Sequence, residues 1–203
     1  MFITFEGIDG SGKTTQITKL AERLRNKGYN VLALREPGGN PISEKIRETL
    51  LAAGNEIVPY AELLLFVAAR AQLVEKVIRP ALGEGKLVIC DRFIDSSVAY
   101  QGFGRGIPIE EVQECNKIAT GNLVPQITFF LDVSPTIAAG RAAERSEENL
   151  DRIERAGTTF FERARQGYLK IADTEPKRFI TLDARKNPEL IHEKIWEYVM
   201  GII

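Results

Sequence analysis

The sequence predicts an α/β fold in which a parallel sheet is covered on both faces by helices. Three observations carry that prediction. Five short runs, at residues 2–6, 30–35, 86–91, 126–133 and 178–183, are apolar at almost every position, as strands are when helices cover both faces of a sheet. Long stretches with helical spacing separate them, the alternation that gives parallel strands joined by crossover helices. The first run leads straight into a glycine-rich turn and then a helix with Ile17, Leu20, Ala21 and Leu24 at i, i+3, i+4 and i+7, stopped by Lys27-Gly28. Further helices are expected at about 42–53, 59–80, 94–102, 109–120, 134–172 with an interruption, and 187–200.

With 203 residues, 44% apolar and 27% charged, and no Pro/Ser/Gly-rich linker, the chain is expected to form one domain. Its 27 basic and 28 acidic residues give a net charge of -1, so no global field would hold nucleic acid or an anionic membrane. No apolar stretch reaches the roughly 18 to 20 residues of a membrane span, and the start of the chain carries no basic leader; a cytoplasmic protein is expected. Cys90 and Cys115 have no CxxC partner, and His192 is the single histidine. Zinc sites and disulfide scaffolds are therefore excluded.

Residues 7–14 read Gly7-Ile8-Asp9-Gly10-Ser11-Gly12-Lys13-Thr14, an unbroken G-x-x-x-x-G-K-[ST] placed after a strand and before a helix. The glycines let successive backbone N–H groups turn inward around a phosphate, and the helix adds the positive end of its dipole. Lys13 reaches the β- and γ-phosphates, and Thr14 offers a hydroxyl to Mg²⁺. The chain is therefore expected to bind a nucleoside triphosphate with Mg²⁺.

Two further segments lie at the carboxyl edge of the sheet. Asp91-Arg92 closes the run Leu87-Val88-Ile89-Cys90, at the carboxyl end of a parallel strand, where open α/β sheets bind ligands. Asp91 there can hold Mg²⁺ or its water, and the fork of Arg92 can bridge two phosphates. Arg35-Glu36-Pro37-Gly38-Gly39-Asn40-Pro41 follows the second strand and fixes an irregular turn beside it. In the apolar helix 59–80, Arg70 sits four residues after Phe66. Together they can stack a planar base and bond its edge, favouring the O4 acceptor of thymine or uracil over the amino group of cytosine. On spacing alone, core phenylalanine beside a snorkelling surface arginine is the commoner outcome. Residues 141–155 hold four arginines and five acids with several like charges four apart. They read either as a solvated helix or as an arginine-bearing lid, and the poor charge spacing favours the lid.

No Asn-Lys-x-Asp guanine reader occurs, and the strand ending Asp91-Arg92 lacks the Asp-Glu of oligomeric ATPase motors. A nucleotide-dependent switch would show slow hydrolysis with no response to an acceptor. Another small-molecule kinase on the same scaffold is the nearer alternative.

Taken in order, five motifs resemble the thymidylate kinase family, within the P-loop nucleoside monophosphate kinases. They are Phe5-Glu6 with the loop through Thr15, Arg35-Glu36-Pro37-Gly38-Gly39, Phe66 to Gln72, Asp91-Arg92-Phe93 with Ser96 to Gly102, and Asp151-Arg152-Ile153-Glu154. The resemblance implies a three-layer P-loop kinase fold, a five-stranded sheet of order 2-3-1-4-5 with a short lid at about 141–155, and a homodimer. The implied reaction is transfer of the ATP γ-phosphate to dTMP, giving ADP and dTDP. Residue by residue it places ATP on Gly7 through Thr15, with Arg141 and Arg185 flanking the adenine. It gives Phe66 the thymine stack and Arg70 its O4. Ser97 would lie at the N3 edge, Tyr100 would crowd the 2′ position and Gln101 would line the pocket with Glu36 and Pro37. Asp9 would serve the acceptor sugar or the metal, and Lys13 and Arg92 the phosphates. The loop carries no arginine at Asp9-Gly10-Ser11, which matches the bacterial-type branch with a catalytic arginine in the lid, Arg152 first and Arg145 second. Asn40 and Phe93 stand where the family commonly has Thr and Tyr or His, and small changes in acceptor affinity are expected from them.

Overall fold

The computed structural model describes residues 1–142 and 150–203. Five parallel strands form one sheet in the order β2-β3-β1-β4-β5. They are β1 (Phe2–Glu6), β2 (Val31–Arg35), β3 (Leu87–Asp91), β4 (Ile127–Asp132) and β5 (Phe179–Asp183). Every residue of β1 is buried, because helices cover both faces. On one face Ile3, Phe5 and Phe129 pack with Leu20 and Leu24 of α1 (Lys13–Asn26) and Ile191 and Ile195 of α9 (Pro188–Met200). The alternate side chains Phe2, Thr4 and Glu6 face the opposite layer. There Phe2 joins Leu73 of α3 (Pro59–Leu73) and Ile78, while Phe130 stacks on Tyr168 of α8 (Thr158–Thr174) at 4.9 Å.

The intervening helices are α2 (Pro41–Leu51), α4 (Arg79–Gly83), α5 (Ile94–Ser97), α6 (Ile109–Thr120) and α7 (Pro135–Ala142). Two expected helices differ from plain α geometry. The 59–80 helix widens into a π turn at Val74–Ile78 before α4. Pro80, just inside α4, has no N–H to continue the α ladder. The 94–102 helix becomes α5 followed by a π segment at Val98–Gly104. The interruption expected within 134–172 separates α7 from a 3₁₀ turn at Glu154–Ala156 and from α8, which starts after Gly157 at φ 82°.

Register decides what meets at the carboxyl edge. Asp91 is level with Phe5 of β1 on one side and Arg35 of β2 on the other. The turns after β1, β2 and β3, which hold the motif residues, thus open side by side, where an open α/β sheet places its ligands.

Candidate active site

The loop between β1 and α1 closes tightly. Gly10 has φ 80°, and a Cβ there would meet the Ala138 carbonyl oxygen at 2.4 Å, so no other residue fits the turn. Lys13 is buried, with Nζ donating to the Gly7 and Ile8 carbonyls at 3.0 and 3.2 Å and 3.9 Å from Asp9 Oδ1. Burial, helped by Arg92, lowers its pKa against the pull of Asp91, Asp9 and Glu6. Thr14 and Thr15 are exposed in the first turn of α1. Asp9, Gly10, Gly12, Lys13 and Thr14 line a polar pocket whose other walls are Arg35, Glu36, Arg47, Asp91, Arg92 and Arg141. Asp91 Oδ1 is buried at this wall without a hydrogen-bond partner among the described residues.

Arg92 crosses from this pocket to a second one. It holds φ 70°, a conformation uncommon for a non-glycine residue and kept only where its surroundings over-determine it. Those surroundings are specific. Nη1 donates to the Gly7 carbonyl at 2.9 Å, Nη2 to Asp9 Oδ1 at 2.8 Å, and the guanidinium lies 5.0 Å from the Tyr100 ring centre. Behind it, Glu6 is fully buried and accepts from Phe93 N (2.8 Å), Ser96 Oγ (2.6 Å) and Tyr168 Oη (2.8 Å). Burial, with Asp95 nearby, raises the Glu6 pKa; Ser96, Arg92 and Tyr168 oppose it. The β1 terminus, the Arg92 turn and α8 are thereby tied together.

The second pocket is lined by Phe66, Arg70, Ser97, Tyr100 and Gln101, with Pro37, Leu51, Ser96, Asp151 and Ile153. Asp9, Glu36, Arg47 and Arg92 line both pockets, so two carboxylates and two guanidinium groups sit at the seam. Arg70 is not a snorkelling surface residue: it is 1% exposed. Its Nε donates to Glu36 Oε2 (2.7 Å), Nη1 to Ser97 Oγ (2.9 Å) and Asn116 Oδ1 (2.6 Å), and Nη2 to the Phe93 carbonyl (2.9 Å). Four of its five N–H groups are thus engaged, and one on Nη2 remains. Glu36 Oε1 and Tyr100 Oη are buried at the same site without partners among the described residues. Three orphaned polar atoms at one cleft, with that of Asp91, fit a site whose ligand supplies the missing bonds.

Burial raises the Glu36 pKa from 4.5 to about 7, with Arg70 opposing the rise. A carboxyl whose folded pKa lies above its unfolded value binds more protons when folded, so its contribution to stability falls as pH rises between the two. Wild-type melting temperature is therefore expected to drop from pH 5 to pH 8. Glu36→Gln is expected to flatten that slope by up to on the order of 3 kcal/mol, readable in melts across that range.

The turn after β2 explains one sequence departure. Asn40 caps α2, accepting from Ile42 N and Ser43 N, both at 3.1 Å, the same task a threonine performs. Phe93 packs edge-on against Phe2 at 4.9 Å, an apolar role.

Not every expected residue converges here. Arg141 does reach the loop, with Nη1 3.5 Å from the Gly10 carbonyl and Nη2 donating to the Ala184 carbonyl at 2.8 Å. Arg185 does not line the phosphate pocket; it forks onto Asp183 at 2.8 and 2.9 Å beside a separate groove with Arg165 and Asp132. Arg145 lies outside the described residues. Arg152, expected on the transferring phosphate, lines neither pocket: its Nη2 is 2.7 Å from Glu62 Oε2 and its Nε donates to the Leu50 carbonyl at 2.8 Å. A buried carboxylate drew it to α3, a partner invisible to lid spacing. Arg47, Asn116 and Glu62 have no part in the sequence reading, and Glu6 enters it only as a member of the Phe5-Glu6 motif, with no role. Glu62 had a signal: an acid in an apolar helix, in one stripe with Phe66 and Arg70 at i, i+4 and i+8.

A phosphate loop joined through shared arginines to a second pocket with aromatic and polar walls defines a P-loop phosphotransferase. The thymidylate kinase family model matches residues 5–195. Similar proteins include the thymidylate kinases of Prosthecochloris aestuarii, 52% identical over 99% of this chain and 93% of that protein, and Deinococcus radiodurans, 46% identical over 98% and 96%. The crystal structure of thymidylate kinase from Ehrlichia chaffeensis superposes with TM-score 0.77, 37% identity and 98% coverage of both chains. The chain belongs to the thymidylate kinase family.

Proposed function

We propose that the seam shared by the two pockets is where the γ-phosphoryl group of ATP passes to dTMP. The reaction is that of the family: ATP and dTMP give ADP and dTDP. The single observation that carries the assignment of residues is that Asp9, Glu36, Arg47 and Arg92 line both pockets. In this reading the loop from Gly7 to Thr15 holds the ATP phosphates, with Lys13 on the transferring group. Arg92 and Arg47 spread their charge over donor and acceptor phosphates, which in phosphoryl transfer is most of the catalytic work. Arg141, meeting Ala184, flanks the adenine, with Arg185 beyond it. Phe66 stacks the thymine and the remaining N–H of Arg70 Nη2 meets O4. Ser97 lies at the N3 edge, Tyr100 excludes a 2′-hydroxyl, Gln101 and Pro37 complete the wall, and Asp9 serves the sugar or metal.

Among the described residues no group of three or more His, Cys, Asp or Glu stands ready to hold a metal. Thr14 and the orphaned Oδ1 of Asp91 fit Mg²⁺ bound chiefly by phosphate oxygens. When bound it would neutralise charge on those oxygens.

The whole chain is read as one domain and as a homodimer; of the lid expected at 141–155, residues 143–149 lie outside the described residues. The exposed Leu64 of α3 and Ile118 of α6, on two helices packed against each other, support a self-associating face. Among the described residues no helix is long and apolar enough to cross a membrane; both substrates are cytoplasmic metabolites, which supports a cytoplasmic enzyme. Mixing the protein with Mg-ATP and dTMP and identifying products by phosphorus NMR tests the reading. Stoichiometric ADP and dTDP, abolished by EDTA, are expected; ADP with inorganic phosphate and no dTDP would contradict it.

A further inference from the structure

The residues Asp151-Arg152-Ile153-Glu154 each have a separate task in the structure. Asp151 Oδ1 accepts from Ile153 N and Glu154 N at 2.8 and 2.9 Å, while Glu154 Oε2 accepts from Asp151 N at 2.9 Å. This is a capping box, which stiffens a turn by satisfying its backbone donors reciprocally. The side chains of Asp151 and Ile153 face the acceptor pocket. Arg152 fastens the turn to the body of the protein. Its backbone N donates to the Leu51 carbonyl at 3.1 Å, its Nε to the Leu50 carbonyl at 2.8 Å, and its Nη2 lies 2.7 Å from Glu62 Oε2.

Glu62 is 0% exposed and collects more than this one partner. Arg105 bonds it through Nε and Nη2 at 3.1 and 3.0 Å, and Gln101 Nε2, from the pocket wall, at 2.9 Å. One buried carboxylate on α3 therefore ties together the 151–154 turn, the Val98–Gly104 π segment and the helix that carries Phe66 and Arg70.

We propose that Glu62 and Arg152 form a clasp that positions Asp151 and Ile153 as a wall of the acceptor pocket, and that Arg152 acts on acceptor binding and not on the transferring phosphoryl group. Both are positioning residues. The proposal rests on reading this pocket as the dTMP site.

Steady-state kinetics on Arg152→Met, Arg152→Lys and Glu62→Gln separate the alternatives. Arg152→Met leaves Glu62 paired with Arg105 and Gln101, so no buried charge is orphaned and the variant is expected to fold; thermal melts check this. The clasp predicts a KM for dTMP raised about tenfold, with kcat within about twofold and the KM for ATP unchanged. Arg152→Lys keeps the charge but loses the second arm to Leu50, and its KM should fall between wild type and Arg152→Met. The double variant of Arg152→Met and Glu62→Gln should be little worse than the poorer single one, as for partners in one interaction. A kcat lowered by about 10³-fold or more at unchanged KM would overturn the clasp and put Arg152 on the phosphoryl group. Wild-type KM in all three variants would overturn it too. Phe66→Ala is the control: a raised KM there with wild-type KM in Arg152→Met overturns the clasp alone, whereas wild-type KM in Phe66→Ala removes the dTMP reading of the pocket and the clasp with it.

Discussion

Arg92→Ala is expected to lower turnover with dTMP by on the order of 10³-fold, the scale on which an arginine that bridges transferring phosphates acts. The side chain stands at the seam of the two pockets, anchored on the Gly7 carbonyl, on Asp9 and over the Tyr100 ring. Those contacts hold the fork in place before substrate arrives, so little reorganisation is left for the reacting complex. Arg92→Lys should recover only part of the loss, because a point charge cannot bridge two phosphates while keeping both anchors. Measured at saturating ATP and dTMP, a loss smaller than about tenfold in Arg92→Ala would reduce Arg92 to a strut of the phosphate loop.

Arg70→Met is expected to act on selectivity and on stability at once. The lost O4 donor should erode discrimination of dTMP over dCMP by at least about tenfold, since a site built to bond a polar edge rejects the wrong base mainly through unpaired groups. The substitution also leaves Glu36 buried without its cation, a change that costs roughly 3–5 kcal/mol when the partner stays ionised. Glu36 is held at about 7 even with Arg70 present, and Arg70 is the group that keeps it from rising further. Without Arg70 the carboxyl stays protonated to higher pH, so the destabilisation should be small near pH 5 and grow toward pH 8. Urea melts at those two pH values read the difference. Equal destabilisation at both would mean that the lost hydrogen bonds of Arg70, and not the stranded carboxylate, carry the cost.

Much of the fold was legible because its signals are local. Strands covered on both faces must be apolar at successive positions, and all five start and stop within one residue of their expected bounds. The phosphate loop was legible because Gly7, Gly10 and Gly12 all take positive φ within a few residues; the close approach of the Ala138 carbonyl to Gly10 was not. What sequence spacing could not show depends on contacts across the chain. Arg70 and Asn116 meet over 46 positions, and Arg92 and Asp9 over 83. The burial of Arg70 is decided by Glu36, Ser97 and Asn116, which lie on three other segments. Arg152 illustrates the limit most plainly, because its approach to Glu62 at 2.7 Å joins two segments far apart in the chain and has no counterpart in the spacing of the lid arginines. The π segments were equally hidden, since a widened turn changes side-chain direction without changing composition.

The most direct test of the account is ADP release from Mg-ATP over a panel of acceptors: dTMP, dUMP, UMP, dCMP, AMP, GMP, thymidine and none. Fast turnover with dTMP, weaker with dUMP and negligible with dCMP or thymidine is the outcome predicted by the proposed reading, in which the pocket reads a pyrimidine O4, excludes a 2′-hydroxyl and needs an acceptor phosphate at the seam. Turnover with dCMP equal to that with dTMP, or no response to any acceptor, would contradict it.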